Sequence, residues 1–227
     1  MPSAWENLNT RKGRVLVVSI TPSDPKVSMR WAIMNRNMAL PPASDYMTVA
    51  GLPYGPARNR GLKFAVDGNY GYLAFLDTDT VPPADWVMRL IATKRDLVGC
   101  IYHQRFPPFN TTAFMEGKDK QGGVDKLPLP PHNRGDIIPV DFLATGATLY
   151  SRACLKAVLA KYPRPFEWGI DIAEIPGDEG MLPHLSEDYM FSIRARDMGY
   201  QPWLATGVEA RHEMTVVSTA KGLEMPE

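Results

Sequence analysis

No run of this chain is apolar for the length of a membrane span, and no apolar core of a secretion signal opens it. The expectation is a cytoplasmic protein without a transmembrane segment. An excess of charge is missing too. Lys plus Arg and Asp plus Glu both number 25, so composition gives no general pull toward nucleic acid or anionic lipid. Two local basic runs, Arg11, Lys12 and Arg14, then Arg58, Arg60 and Lys63, read as solvated faces. Cysteine is scarce. Cys100 and Cys154 have no metal-ligand spacing and lie in apolar runs, so they read as buried free thiols in a reducing compartment. No internal repeat is visible. Proline is plentiful by contrast: 21 residues point to long ordered loops.

What the chain does contain is alternation of short apolar runs with helical periods. Strands are expected at 14–20, 45–50, 72–76, 96–102 and 201–205. Helices are expected at 27–40, 57–66, from Pro82 onward with Trp86, Leu90 and Ile91 inward, at 151–162 behind Ser151, and at 186–198 behind Ser186. Residues 140–150 read as a strand interrupted at Gly146, where backbone must approach something closely. This is an α/β pattern. The length suits a single domain over 1–227, with an irregular insertion at 103–139 that serves as a lid, an acceptor platform or an exposed excursion. A second irregular stretch spans 164–185, and 213–227 reads as a polar tail.

The rest is organised around Tyr72 to Pro83, YLAFLDTDTVPP. A short apolar run ends abruptly in Asp77-Thr78-Asp79. Ligands of open α/β sheets sit at the carboxyl ends of the strands. Paired carboxylates there call for a positive partner, and a divalent cation bridging to a phosphate-bearing substrate is a common one. A plain turn, with one Asp capping the following helix, accounts for the same residues.

Four pieces in order strengthen the first reading: ARNRGL at 57–62, FLDTDT at 75–80, TGATLYSR at 145–152 and SEDYMFSIRARDMGY at 186–200. Together they resemble nucleotide-sugar glycosyltransferases of the GT-A fold, closest to family two, over about 15–212. The resemblance implies a Rossmann-like mixed sheet flanked by helices and a nucleoside-diphosphate sugar as donor. It implies Mn²⁺ or Mg²⁺ on Asp79, with His212 as a further ligand. Asp77 and Thr78 would contact the donor or a metal-bound water, and Arg58 would reach the nucleotide. Thr21, Pro22 and Ser23 would line base and ribose. Gly146 would let backbone approach the donor sugar, beside Glu187. Asp188 would deprotonate the acceptor hydroxyl in an inverting transfer. Trp168 is an acceptor-stacking candidate or ordinary core.

The chain departs from the family at Ala50-Gly51-Leu52, where many members carry an acidic residue that reads the base. Base and sugar therefore stay open. The membrane helices and aromatic-rich motif of processive synthases are missing, which points to single-sugar transfer to a soluble acceptor. That acceptor is a saccharide, a lipid-linked sugar, a protein, a small molecule or a modified nucleic acid base. Two other readings fit the same carboxylates. A sugar-phosphate nucleotidyltransferase would want a glycine-rich basic loop after the first strand, and Thr21-Pro22-Ser23-Asp24-Pro25 has no glycine. A non-catalytic sugar- or nucleotide-binding module would bind without turnover.

Overall fold

The computed structural model describes residues 13–23, 26–118, 124–168, 185–214, 217–219 and 222–224. A seven-stranded mixed sheet forms its centre. The strands that build it are β1 (Val15–Thr21), β2 (Asp45–Ala50), β3 (Tyr72–Leu76), β5 (Leu97–Ile101), β8 (Ile137–Pro139), β10 (Ala147–Ser151) and β11 (Trp203–Glu209), in the order β2-β1-β3-β10-β5-β11-β8. β1 runs parallel to β2 and β3, and β11 runs parallel to β5. β10 is antiparallel to both β3 and β5, and β8 is antiparallel to β11. Five strands therefore point the same way and deliver Thr21, Ala50, Leu76, Ile101 and Glu209 to one carboxyl edge.

The alternation of side chains along β1 shows why that strand is apolar throughout. Val15 and Val17 enter one core layer, while Leu16, Val18 and Ile20 enter the other. A strand buried on both faces has no polar side to show. The first layer packs against α1 (Met29–Arg36) and α3 (Trp86–Ala92) through Trp31, Met34, Trp86 and Leu90. The second packs against α2 (Tyr54–Asp67), α4 (Arg152–Lys161) and α5 (Glu187–Asp197) through Leu62, Leu155, Val158 and Phe191. Phe75, Tyr150, Phe166 and Phe191 are fully buried there, and their rings meet edge-on or stacked at 4.4–6.1 Å. Each such ring contributes roughly 1.5–3 kcal/mol by burial.

Several expected elements change. The first helix is shorter than 27–40: Ser28 Oγ accepts from Trp31 N at 2.9 Å and starts it at Met29. The insertion at 103–139 is not irregular throughout. It carries β6 (Ala113–Lys118) and β7 (Val124–Leu127), an antiparallel hairpin, and ends in β8. Residues 140–150 are two strands rather than one. β9 (Phe142–Leu143) pairs with β6, and the chain breaks at Gly146 before β10 enters the main sheet. β4 (Thr80–Val81) pairs with β12 (Arg211–His212). Within the expected tail, β13 (Val217–Thr219) and β14 (Gly222–Glu224) form a small hairpin. Both cysteines are buried free thiols. Among the described residues no helix is long and apolar enough to cross a membrane.

Candidate functional site

Asp77 and Asp79 leave the end of β3 at the carboxyl edge, and the backbone around them is tied down. Asp77 N donates to Gly146 O at 2.9 Å, and Trp31 Nε1 donates to Asp77 O at 3.0 Å. The two carboxylates face different neighbours.

Asp77 belongs to an internal bridge. Arg58, one turn into α2 and 3 % exposed, donates from Nη2 to both Asp77 oxygens at 3.1 and 3.2 Å and from Nε to Glu187 at 3.2 Å. Burial opposes the Arg58 charge, but Asp77 and Glu187 more than offset it and hold the guanidinium above its ordinary range. Arg58 and Glu187, which the resemblance has touching donor, bond to each other, and Arg58 also to Asp77, while Arg58 Nη1 is buried without a partner among the described residues. Asn59 and Gly61 of ARNRGL serve packing. Asn59 Oδ1 accepts from Phe166 N at 3.0 Å. A side chain at Gly61 would press on Val18 and Phe75 at 3.0–3.3 Å.

Asp79 faces a cleft. Pairing of β12 with β4 places His212 Nε2 3.6 Å from Asp79 Oδ2. His212 Nδ1 lies 3.0 Å from the His103 carbonyl. A carbonyl can only accept, so Nδ1 carries a proton and Nε2 is the nitrogen turned toward Asp79. Arg105, from the insertion, reaches the same Asp79 oxygen at 3.2 Å. Burial works to raise the Asp79 carboxyl, yet His212 and Arg105 hold it below its ordinary value. The cleft has a volume of about 870 Å³. Pro22, Thr78, Asp79 and His212 line it beside four cations, Lys26, Arg30, Arg105 and Arg211. Glu213 closes one side. Its backbone N donates to Asp79 O at 2.7 Å, and its carboxylate takes Ser28 Oγ and Arg30.

Tyr102 joins the halves of the site. Its ring meets His212 edge-on at 5.5 Å, and its hydroxyl accepts from Gly146 N at 2.9 Å. Burial, then the charges of Asp77 and Asp188, push that phenol well up. Gly146 is a glycine because a Cβ would meet Tyr102 Oη at 2.5 Å and Thr80 Oγ1 at 2.9 Å. The close approach expected at this position is thus to neighbouring side chains, and through its carbonyl Gly146 fixes Asp77.

Asp188 sits on the first turn of α5. Ser186 Oγ, which in many helices bonds a backbone N–H, donates instead to Asp188 Oδ1, and Tyr189 N donates to the same oxygen at 2.8 Å. Oδ2 has no partner among the described residues. Burial raises the carboxyl, the Ser186 bond and Arg58 lower it, and the balance is upward.

Two residues at the site went unread in the sequence. Lys126 on β7 lies 4.2 Å over the Tyr189 ring. Burial lowers its ammonium and the Asp188 charge draws it back up. Tyr54, 57 % exposed at the start of α2, feels Asp77, Asp79, Arg58 and Arg105. Neither carries a motif: one depended on the hairpin, the other on where α2 begins. Thr21 is buried and Ser23 exposed at the end of β1. Trp168 is 51 % exposed, so it is not core. Within the irregular stretch 164–185, Asp171, Glu174, Asp178, Glu179 and His184 lie outside the described residues.

Among the described residues no three His, Cys, Asp or Glu side chains converge as a ready metal cage. Asp79 and His212 nevertheless fit one cation between them. Two ligands each roughly 2.1 Å from an ion stand about 3.0–4.2 Å apart. Magnesium and manganese sites commonly use few protein ligands and leave positions for water and phosphate.

No family profile matches the sequence, and no curated protein does. Solved structures do resemble it. The crystal structure of A197 from STIV superposes with a TM-score of 0.56 at 15% identity, over 94% of each chain. The crystal structure of GalNAc-T7 with UDP, GalNAc and Mn²⁺ gives 0.53 at 14% identity, over 88% of this chain and 43% of that one. At such identities the likeness is one of fold.

Proposed function

We propose that this chain is a divalent-metal-dependent glycosyltransferase that moves a sugar from a nucleoside-diphosphate sugar to an acceptor hydroxyl with inversion. One observation carries the reading: Asp79 and His212 Nε2 meet at 3.6 Å on a cleft lined by four cations, next to the Arg58 bridge whose field reaches Asp188. The fold shared with a solved complex of UDP, GalNAc and Mn²⁺ supports it.

In this reading Asp79 and His212 hold the cation, Mn²⁺ or Mg²⁺. Once bound, that ion supplies Lewis-acid neutralisation of charge on the departing diphosphate. The chain's own residues do the rest. Lys26, Arg30, Arg105 and Arg211 receive the diphosphate oxygens. Pro22 and Thr78, which line the cleft, border the nucleoside together with the neighbours Thr21 and Ser23. Arg58 keeps Asp77 and Glu187 charged and in place, and Gly146 fixes the Asp77 backbone. Asp188 accepts the acceptor hydroxyl's proton on Oδ2 as that oxygen forms its bond to the anomeric carbon. The carbon–oxygen bond to the diphosphate breaks, and the nucleoside diphosphate leaves with the electron pair. A carboxyl raised by burial is a better base than an exposed one. Trp168 offers an exposed ring for acceptor stacking.

The test is a screen of nucleoside-diphosphate sugars with Mn²⁺ that follows release of nucleoside diphosphate. Release of pyrophosphate from a nucleoside triphosphate would instead assign a nucleotidyltransferase.

A further inference from the structure

A second groove adjoins the Asp79 cleft, and two of its four arginines, Arg89 and Arg134, have no part in the transfer described above. It has a volume of about 440 Å³ and is lined by Arg30, Arg89, Arg134 and Arg211 with Val81, Pro82, Pro83, Gly207 and one carboxylate, Glu209. Arg30 and Arg211 line both spaces, so the two lie side by side. The four arginines come from α1, α3, the loop before β8, and β12. Chain composition does not explain such a cluster, because the total charge is balanced.

The groove is built rather than incidental. The turn 133–136 is pinned to β11 where the β5–β11 register shifts between Ala205 and Glu209. Thr206 Oγ1 donates to the Asn133 carbonyl at 2.7 Å and accepts from Gly135 N at 3.0 Å. Thr206 N donates to Asp136 O at 3.0 Å, and Asn133 N donates to Asp136 Oδ2 at 2.7 Å. Gly135 takes φ +105°, and a side chain at Gly207 would come within 3.1 Å of its Cα. Residues on both sides of Arg134 anchor this turn, whereas the exposed Arg134 side chain makes no hydrogen bond or ion pair among the described residues. Arg89 is aimed by donating from Nη2 to Gly207 O at 2.6 Å. Arg211 likewise has no ion pair among the described residues.

Four clustered guanidinium groups suit repeated phosphates, even with Glu209 in the lining and with Arg30 and Arg89 lying 3.5 and 4.0 Å from Glu213 and Asp85. Each planar fork grips two oxygens, and a single phosphate does not need four of them. The few apolar residues, one valine and two prolines, give no slot for an acyl chain. We propose that this groove holds the phosphodiester backbone of a nucleic acid strand and feeds that strand to the Asp79 cleft, so that the acceptor hydroxyl is carried on a nucleic acid. The acceptor part of the inference rests on the proposed transferase activity. The binding part does not. None of the four arginines belongs to either basic run visible in the sequence, so the polyanion track is a product of folding.

The experiment is fluorescence anisotropy of the full chain with a fluorescein-labelled 20-nucleotide DNA, single-stranded and as duplex, between 50 and 200 mM salt. Arg134→Ala and Arg134→Glu are compared with wild type after their melting temperatures are shown to match it. The expected result is salt-dependent binding of at least one form. Arg134→Ala should shallow the log–log salt slope by about one, and Arg134→Glu should weaken affinity about tenfold or more at 50 mM. No strand binding by wild type, or undiminished binding by Arg134→Glu, overturns the inference. So does co-sedimentation with phosphatidylglycerol vesicles without strand binding. Donor turnover with a small alcohol, measured on the same preparation, separates the two claims: turnover without strand binding removes the groove and leaves the transferase, and strand binding without turnover does the reverse.

Discussion

His212 Nε2 stands 3.6 Å from Asp79 Oδ2 although 132 residues separate them in the chain, because two-residue strands β12 and β4 pair and His212 falls opposite Thr80. The His103 carbonyl accepts from Nδ1 and so turns Nε2 toward the carboxylate. Replacing His212 by Ala should raise the Mn²⁺ concentration for half-maximal effect on the order of 10–100-fold, with little change in melting temperature. A Mn²⁺ titration followed by paramagnetic resonance of the free ion reads this directly. An unchanged midpoint would remove His212 from the cation site.

Arg105 competes for the same Asp79 oxygen from 3.2 Å. Both side chains are more than a third exposed, so the pair itself is weak. Arg105→Ala should therefore tighten Mn²⁺ binding by only about twofold to fivefold. Loss of a cation from the diphosphate cleft should raise the donor KM about tenfold. Opposite signs for metal and donor are the signature, and steady-state kinetics at two Mn²⁺ concentrations tests it.

Arg58 bridges Asp77 and Glu187 from a buried position. Its removal leaves Glu187 buried and charged without its partner. Arg58→Ala should lose about 3–5 kcal/mol of stability in urea denaturation. Arg58→Lys should recover only part, since one ammonium cannot serve both carboxylates in the same geometry.

Asp188 links activity to pH. Its folded pKa is raised above 3.8, first by burial. A carboxyl raised in the folded state adds stability that is complete below its unfolded pKa and is lost as pH rises through the folded one. Activity runs the other way, because the base must be unprotonated, and should climb as pH rises through that folded value. Asp188→Asn should lower turnover about 10²–10⁴-fold while melting at or above the wild-type temperature at pH 7. A melting point well below wild type would show that Asp188 is held for stability instead.

Much of this was legible in the sequence. Strand β3 is found where YLAFL placed it, and Ser151 Oγ caps α4 as expected, accepting from Cys154 N at 3.2 Å. Ser186 shows the limit. It precedes its helix as expected but spends its hydroxyl on Asp188, a choice that sequence spacing does not distinguish. Direction is equally hidden, since a doubly buried strand such as β10 reads the same parallel or antiparallel. The hairpin that carries Lys126 was missed because the loop-rich composition of 103–139 masked two short strands. Pairs such as His212 with Asp79, and the four converging arginines, exist only after distant segments meet.

The central claim is a cation held on Asp79 during nucleotide departure. Nucleoside diphosphate release should be measured with an accepted donor, with and without Mn²⁺, for wild type and Asp79→Asn. Release that depends on Mn²⁺ in wild type and vanishes in a folded Asp79→Asn variant is the expected result. Full release by that variant in chelator would contradict it.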